Sequence, residues 1–525
     1  MLSFVFLALA KLQSLASLSN LLIGIATTLS VWLYCANAAQ RKRFGLPIPG
    51  PLRVPLFGSI FALPHFLSDK KRHQYRIKLA KQYGRICTVF LGKIQFVFLS
   101  DIDIIKEAFV TKGEIISDRM RSNPPSAISV KFGEGKGIGA ADYGKDFKER
   151  KKLTLHSMRE FGFGGKSLEE TVLDETKFLT EEFRKVADTG YPTDLHQNYV
   201  HLAVSNVICS VVFGRRFSYR DPEFMKAVDG IRFLFTQRST LLARMPLIGR
   251  LPAVKRRVDA EVEQGLNVLN FVEDQINKHK EEFDINNPKD FIDLCLQKAE
   301  TELEQGEKSS IGTENIRKII LDLFFAGTDT TAASLSWFLL YMILYPDVQK
   351  KCQEEIDRVF DTEGSLANLA ASRFPYTTAA LMETQRISSI AGGSLPHVVR
   401  ERTTLGGYHV RKGAIVQANI RFLHMDEAYW VDPEGFRPER WIDAKDPTKI
   451  IAHTHFVPFS VGKRRCLGEN LAKAEYSVFA IMLIRNFSFK VADPNRPPTR
   501  DGHGLVYSPY PFEMLVEDRK SGDQL

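Results

Sequence analysis

The sequence predicts a mainly α-helical protein with a small β portion, built as one large domain behind an N-terminal transmembrane helix. Three observations predict this class. Residues 12–40 carry no charge, helical periodicity dominates from about 101 to 345, and short β-like runs punctuated by glycine and proline lie near 86–100 and 394–419. The implied organisation is a signal-anchor segment over 1–40, a basic and proline-rich hinge over 41–55, and one large domain over 56–525.

The run LLIGIATTLSVWLYCANAA is long enough to cross a bilayer, which needs about 20 apolar residues. Arg41, Lys42 and Arg43 follow it at once, so the positive-inside rule puts the body of the protein on the cytoplasmic side. A cleaved signal peptide would have a shorter apolar region behind a basic start, and here that order is reversed. Pro47, Pro49, Gly50, Pro51 and Pro55 then form a stiff, non-helical spacer.

The stretch ICTVFLGKIQFVFLS reads as a hairpin turning at Gly92-Lys93. Helical patterns follow at Leu168–Ala187, Pro222–Phe235, Val254–Glu282, Thr313–Leu344, Pro346–Phe360 and Thr377–Ile390. Short strands are expected in SLPHVV and GYHVRKGAIVQAN, then a proline-rich coil over Asp432–Trp441 and a last helix from about Gly468 to Arg485. Two strand-like runs, Phe487–Val491 and Phe512–Val516, close the chain.

Composition narrows the function. With 44% hydrophobic and 25% charged residues the chain is neither disordered nor polytopic. A net charge of +9 suits an anionic membrane or an acidic protein partner, and no basic block interleaved with aromatics points to nucleic acid. Cys35, Cys87, Cys209, Cys295, Cys352 and Cys466 form no C-x-x-C pair, which argues against a disulfide framework or a zinc ribbon.

The most specific motif is FSVGKRRCLG, Phe459 to Gly468. Lys463, Arg464 and Arg465 precede Cys466 and a helix follows it, and both features favour a thiolate. A thiolate so placed is a metal ligand or a nucleophile, and no His-Asn constellation announces a nucleophile. The second motif, AGTDTT from Ala326 to Thr331, puts an acid and hydroxyls inside a long apolar helix, which is unfavourable unless each group is hydrogen-bonded. Its bland reading has the threonines bonding back one turn while Asp329 faces solvent or a cation. Gly327 is expected to let the helix widen there.

The first decapeptide matches the haem-binding signature F-x-x-G-x-R-x-C-x-G at Phe459, Gly462, Arg464, Cys466 and Gly468, and so resembles the cytochrome P-450 family. Chance would produce that match in on the order of one in ten thousand chains of this length. The resemblance implies the cytochrome P-450 fold, haem b as cofactor, Cys466 as axial ligand to the iron, and Arg464 as partner of a haem propionate. AGTDTT is similar to the family's oxygen-activation motif, with Asp329 and Thr330 as the acid–alcohol pair that relays protons as dioxygen is cleaved. Glu383, Arg386 and Arg440 look like the family's structural network behind the haem.

One departure stands out. Where the family has a tryptophan and, four residues on, an arginine that bind the propionates, this chain has Phe147 and Lys151. Phenylalanine has no N–H to donate, and lysine is a point charge rather than a fork. The grip is therefore expected to fall on Lys151, Arg464 and His397, with Arg119 a further match and Phe459 part of the cofactor loop. The cluster Lys148, Arg150, Lys151 and Lys152 reads either as a solvated face or as a docking surface for an acidic electron donor.

The resemblance runs from the PIPGP hinge almost to the C-terminus and is nearest the animal microsomal branch that oxidises drugs, steroids and fatty acids. It implies substrate-facing positions at Ala326, Ile390, Ala391 and Leu395, with Ala140, Ala141 and Leu505 beside them. It also implies a small hydrophobic substrate, an endoplasmic reticulum membrane, and electrons from NADPH through a separate flavin-containing cytochrome P-450 reductase, with cytochrome b5 as a second donor. No dinucleotide fingerprint gives the chain flavin or nicotinamide sites of its own. Three other readings compete. A phosphate loop at Gly133–Gly139 lacks the preceding strand and the following Lys-Ser/Thr. A haem-thiolate isomerase or dehydratase acting on hydroperoxides, or a haem carrier, has no use for the Asp329–Thr330 relay.

Overall fold

The structure is a computed structural model. It describes residues 47–53, 58–59, 69–92, 94–121, 132–163, 168–195, 199–236, 251–305, 311–363 and 371–519, with isolated positions between 20 and 31. The membrane anchor expected over 1–40 lies, apart from those positions, outside the described residues. No helix among the described residues is long and apolar enough to cross a membrane.

The main helices are α1 (Asp69–Tyr83), α2 (Lys145–Phe163), α3 (Leu168–Thr189), α4 (His201–Phe213), α5 (Pro222–Thr236), α6 (Pro252–Glu282), α7 (Phe291–Glu304), α8 (Thr313–Leu344), α9 (Pro346–Glu363), α10 (Pro375–Ser388) and α11 (Glu469–Asn486). The expected helices appear with ends moved by a few residues. Helix α8 is the axle. Every residue from Thr331 to Ile343 is buried, because α4, α10 and α11 pack around it. A helix apolar on all sides belongs inside a large core rather than on its surface. Helix α4 is similar, with every residue but Ser210 buried.

The principal sheet has five strands in the order β1-β2-β5-β4-β3: β1 (Ile86–Leu91), β2 (Ile94–Leu99), β3 (Asp118–Arg119), β4 (His397–Val398) and β5 (Ile415–Ala418). Strands β1 and β2 form the expected hairpin, and β2 runs parallel to β5 with Phe96 opposite Ile415. At the far edge β3 pairs antiparallel with β4, which sets Arg119 opposite His397. A separate ribbon joins β6 (Phe487–Val491) to β7 (Met514–Asp518). The proline segment is less of a free spacer than its sequence suggests. Ile48 is buried, the Pro49 carbonyl accepts the Thr88 N–H at 2.8 Å, and a side chain on Gly50 would meet the Thr88 carbonyl.

Candidate active site

The segment Phe459–Gly468 folds as a tight loop entering α11. Ser460 and Gly462 have φ of 60° and 82°, and a Cβ at Gly462 would lie 2.0 Å from the Phe109 carbonyl oxygen, so only glycine fits. The Cys466 N–H closes the loop on the Phe459 carbonyl at 3.0 Å. Cys466 is exposed and lines a cavity of about 240 Å³. A larger groove of about 840 Å³ beside α2 and α7 is lined by both signs of charge and holds no residue of either motif.

The three cations before Cys466 do not act on it together. Arg465 binds Glu469 at 2.6 Å. Arg464 turns away and donates to the carbonyls of Ser117 (2.9 Å), Ile138 (3.2 Å) and Ala141. Burial raises the thiol's pKa, and the Gly468 N–H with the Arg465 charge only partly offsets it. Of the neighbours expected to favour the thiolate, the Gly468 N–H and Arg465 do act in that direction, against burial.

Across the cavity lies α8, presenting Ala326, Gly327, Thr330 and Thr331. The helix runs through AGTDTT without widening. Gly327 is needed for packing, since a Cβ there would come within 2.3 Å of the Ile208 side chain on α4. Thr330 lines the cavity and donates to the Ala326 carbonyl at 2.6 Å. Asp329 does not line it. Its carboxylate is buried and meets His201 Nε2 of α4 at 3.2 Å. Nothing in the sequence around His201 distinguishes it from an ordinary core residue.

The third wall is cationic. Arg119 donates to the carbonyls of Gly139 and Pro396, both at 3.1 Å. Lys151 reaches the Lys463 carbonyl at 3.4 Å. Among the described residues none of Arg119, Lys151 or Arg464 forms an ion pair with a carboxylate. Burial, then repulsion from Arg464, pushes Arg119 down to about 9, and burial pushes Arg464 down to about 10. Burial and Arg464 likewise lower Lys151. His397 is buried beside them, donates Nδ1–H to the Ile116 carbonyl at 2.7 Å, stacks on Phe109, and is held neutral, its pKa pushed down to about 3 by burial and then by Arg119. Half-buried cations without anions are costly, so this wall suits a ligand that carries carboxylates.

A thiol facing a cavity with unpaired cations on its wall fits a haem with its propionates. Comparison with known proteins agrees. The family model for cytochrome P-450 matches residues 48–516. Rat cytochrome P-450 2U1 is 36% identical over 520 residues, covering 95% of each chain. Human cytochrome P-450 2J2 is 33% identical over 513 residues, covering 97% of each, and rat cytochrome P-450 2D26 is 32% identical over 503 residues, covering 93% of this chain and 97% of its own. The chain belongs to the cytochrome P-450 family. It is therefore a haem-containing monooxygenase with the cytochrome P-450 fold, mostly helical with a small sheet portion.

Within this cytochrome P-450 the other expected residues are placed as follows. Phe147 is buried, and the Arg464 guanidinium lies 3.7 Å from its ring centre, so it supports that cation by its aromatic face. Phe459 lies under Lys473. Glu383, Arg386 and Arg440 meet in one buried network. Of the substrate-facing candidates, Ala326 and Leu395 line the cavity. Ala141 is fully buried among Tyr143 and Phe147, and Ala140 is half-buried next to it. Ile390 accepts the Tyr507 N–H, Ala391 is exposed, and Leu505 is tied to the Phe235 carbonyl. The basic cluster on α2 divides: Lys148 and Lys152 are exposed, Lys151 faces the cavity, and Arg150 is buried against Asn315 of α8.

Two further acids belong to the site and were not singled out from the sequence. Asp322, one turn before Ala326, accepts the N–H groups of Ile138 (2.8 Å) and Gly139 (2.9 Å) and pairs with Lys318. The glycine-rich loop thus does cradle an anion, but the anion is a carboxylate of the same chain. Glu475 of α11 lines the cavity, and nothing but its place just before the apolar run of that helix sets it apart in the sequence.

Proposed function

We propose that this cytochrome P-450 inserts one oxygen atom of O2 into a small hydrophobic substrate held between α8 and the Cys466 loop, with electrons passed from NADPH by a separate flavoprotein reductase. The observation that carries the reading is that Cys466, the unpaired cations and Thr330 line one cavity whose remaining wall is largely aliphatic: Ile208, Val211, Val212, Leu323, Ala326 and Leu395. Haem b would be held by Cys466 at the iron and by Arg119, Lys151, Arg464 and His397 on the propionate side. Bound there, the haem supplies the redox chemistry, with the thiolate's electron donation favouring O–O cleavage. Thr330 would hold a hydroxyl at the reacting face. Asp329 would reach it by leaving His201, a side-chain rotation that brings a proton from the interior.

The finer setting is read from sequence. A signal anchor over 1–40 would tether the domain, from 56 on, to the endoplasmic reticulum, facing the cytoplasm. Exposed Lys148 and Lys152 would help receive an acidic reductase or cytochrome b5, an attraction that weakens with salt.

The test has two parts. The reduced protein's carbon monoxide complex should show the thiolate-type Soret band, and Cys466→Ala should abolish it. Product should form with NADPH and reductase. Turnover of a hydroperoxide in place of that requirement would instead establish the isomerase or dehydratase reading.

A further inference from the structure

The groove of about 840 Å³ beside α2 and α7 takes no part in the chemistry above, and its charges are unevenly satisfied. Most of its cations already have anions. Lys298 pairs with Glu302 at 3.0 Å, Lys136 with Glu314 at 3.5 Å, Lys145 with Glu149 at 3.8 Å, and Arg121 with Asp142. Arg150 and Lys152 of α2 line the same groove, and among the described residues neither forms an ion pair. Arg150 is the sharper case, because it is only 6% exposed. Its Nη1 donates to Asn315 Oδ1 of α8 at 3.1 Å, and its Nε is buried without any hydrogen-bond partner. Asp146 and Glu149 on its own helix and Asp322 on α8 are near enough to act on its charge, yet none comes within ion-pair distance. Burial outweighs all three and lowers the pKa of the guanidinium.

A buried guanidinium with an unused N–H costs stability unless an anion completes it, and phosphate or carboxylate oxygens match its fork. Two features of the groove favour phosphate. Lys152 adds a second unpaired positive charge, which suits the roughly two negative charges of a phosphate monoester near pH 7. The carboxylates of Asp146 and Glu149 in the same groove can only accept hydrogen bonds, so they suit a ligand with hydroxyl donors beside its phosphate. We propose that this groove binds a small polyhydroxylated phosphate monoester of the sugar-phosphate class, its phosphate on Arg150 and Lys152 and its hydroxyls on Asp146 and Glu149. The buried Nε of Arg150 is within reach of a small anion entering the groove, and not of a carboxylate on the surface of a partner protein. The site is distinct from the haem cavity, which Lys151, between the two cations on α2, lines instead. The inference does not depend on the monooxygenase reading.

The test titrates the full-length haem-loaded protein by calorimetry at fixed ionic strength with inorganic phosphate, glycerol 3-phosphate and a short-chain phosphatidylglycerol, with chloride as the control. Glycerol 3-phosphate should bind saturably and several-fold more tightly than inorganic phosphate. Arg150→Met should weaken that binding by about tenfold or more, and Lys152→Met by a smaller factor. Lys278→Met, at an exposed lysine of α6 outside the groove, should leave it unchanged. Absence of saturable binding overturns the proposal, as does equal affinity in Arg150→Met and the wild type. Equal affinity for inorganic phosphate and glycerol 3-phosphate overturns the assignment of the hydroxyl contacts. Phosphatidylglycerol is a diester with a single charge, and if it binds as tightly as glycerol 3-phosphate the site belongs to a lipid headgroup and the free monoester is overturned. If Arg150→Met does not fold, Lys152→Met and Arg150→Lys, which keeps the charge without the fork, decide the matter. Unchanged affinity in both overturns it.

Discussion

Around Glu383, donors converge on one buried carboxylate; around Arg464, cations meet backbone carbonyls and an aromatic ring but no carboxylate. Glu383 accepts both Arg386 Nε and Nη2 at 2.8 Å, Arg440 Nε at 2.9 Å, Trp441 Nε1 at 2.9 Å and the Arg437 N–H at 3.0 Å. The other arms of Arg386 end on the His424 and Pro433 carbonyls, so that network is complete without a ligand. The wall formed by Arg119, Lys151 and Arg464 has no such closure. The first region is a structural clasp, and the second would be half of an interaction whose anionic half, on the reading proposed here, is the cofactor. Arginine content alone does not separate them; the presence or absence of an internal carboxylate does.

The largest effect should come from breaking the clasp. Glu383→Ala leaves two guanidiniums buried without their anion, a loss of about 3–5 kcal/mol. The expected outcome is failure to accumulate folded protein, read as loss of the thiolate-type carbon monoxide spectrum and of cooperative thermal unfolding. Near-normal stability would mean that the carbonyls around Arg386 suffice and that the carboxylate is dispensable.

Glu475 inverts the Arg464 wall, being an acid with no cation. Its pKa lies above the usual carboxylate value of 4.5, so between about pH 4.5 and 8 the folded state holds a proton that the unfolded state has released. Stability therefore falls as pH rises through that window, and the penalty is complete above it. Glu475→Gln removes the penalty. The variant should gain on the wild type by roughly 2–4 kcal/mol above pH 8, and the gap should close toward pH 4.5. Parallel unfolding curves for the two proteins across that range would show that Glu475 ionises normally.

Arg464→Ala should separate the two regions in a different way. It deprives three carbonyls and the Phe147 ring of their partner, yet relieves repulsion on Arg119. Stability without cofactor should therefore change little, whereas haem retention should weaken by about 2–3 kcal/mol. The rate of haem transfer to an acceptor protein measures the second, and denaturation of the cofactor-free protein the first. Equal losses in both would class Arg464 with the clasp.

Much of this was legible before any coordinates. The long apolar helix over Thr313–Leu344, the hairpin around Gly92 and the loop ending at Gly468 are local matters of periodicity and turn chemistry. What the sequence hid were pairings across the fold. Nothing near His201 marks it as the partner of Asp329, 128 positions away, and nothing in KRRC shows that Arg464 turns to three backbone carbonyls while Arg465 pairs with Glu469. The run from Lys148 to Lys152 looked like one face, but residues at successive positions on a helix point in different directions, and the fold buries Arg150 while leaving Lys152 outside. Gly327 was legible as special, but the reason is a close approach of α4 that only the packed helices disclose.

The smallest expected effect tests the departure at Phe147. The ring lines the cavity with its face under the Arg464 guanidinium at 3.7 Å, so it already supplies the aromatic half of a cation–π contact. Phe147→Trp keeps that face, strengthens the contact, and adds an N–H that phenylalanine lacks. One hydrogen bond to a charged group, discounted for fitting a larger ring beside Tyr143, leaves about 1 kcal/mol, or roughly a fivefold slower loss of haem. The wall would then gain a donor without gaining a positive charge, which a third arginine could not do, since Arg119 and Arg464 already repel each other. Faster haem loss in Phe147→Trp would mean that the ring is packed to its limit and that this chain's grip rests on charge alone.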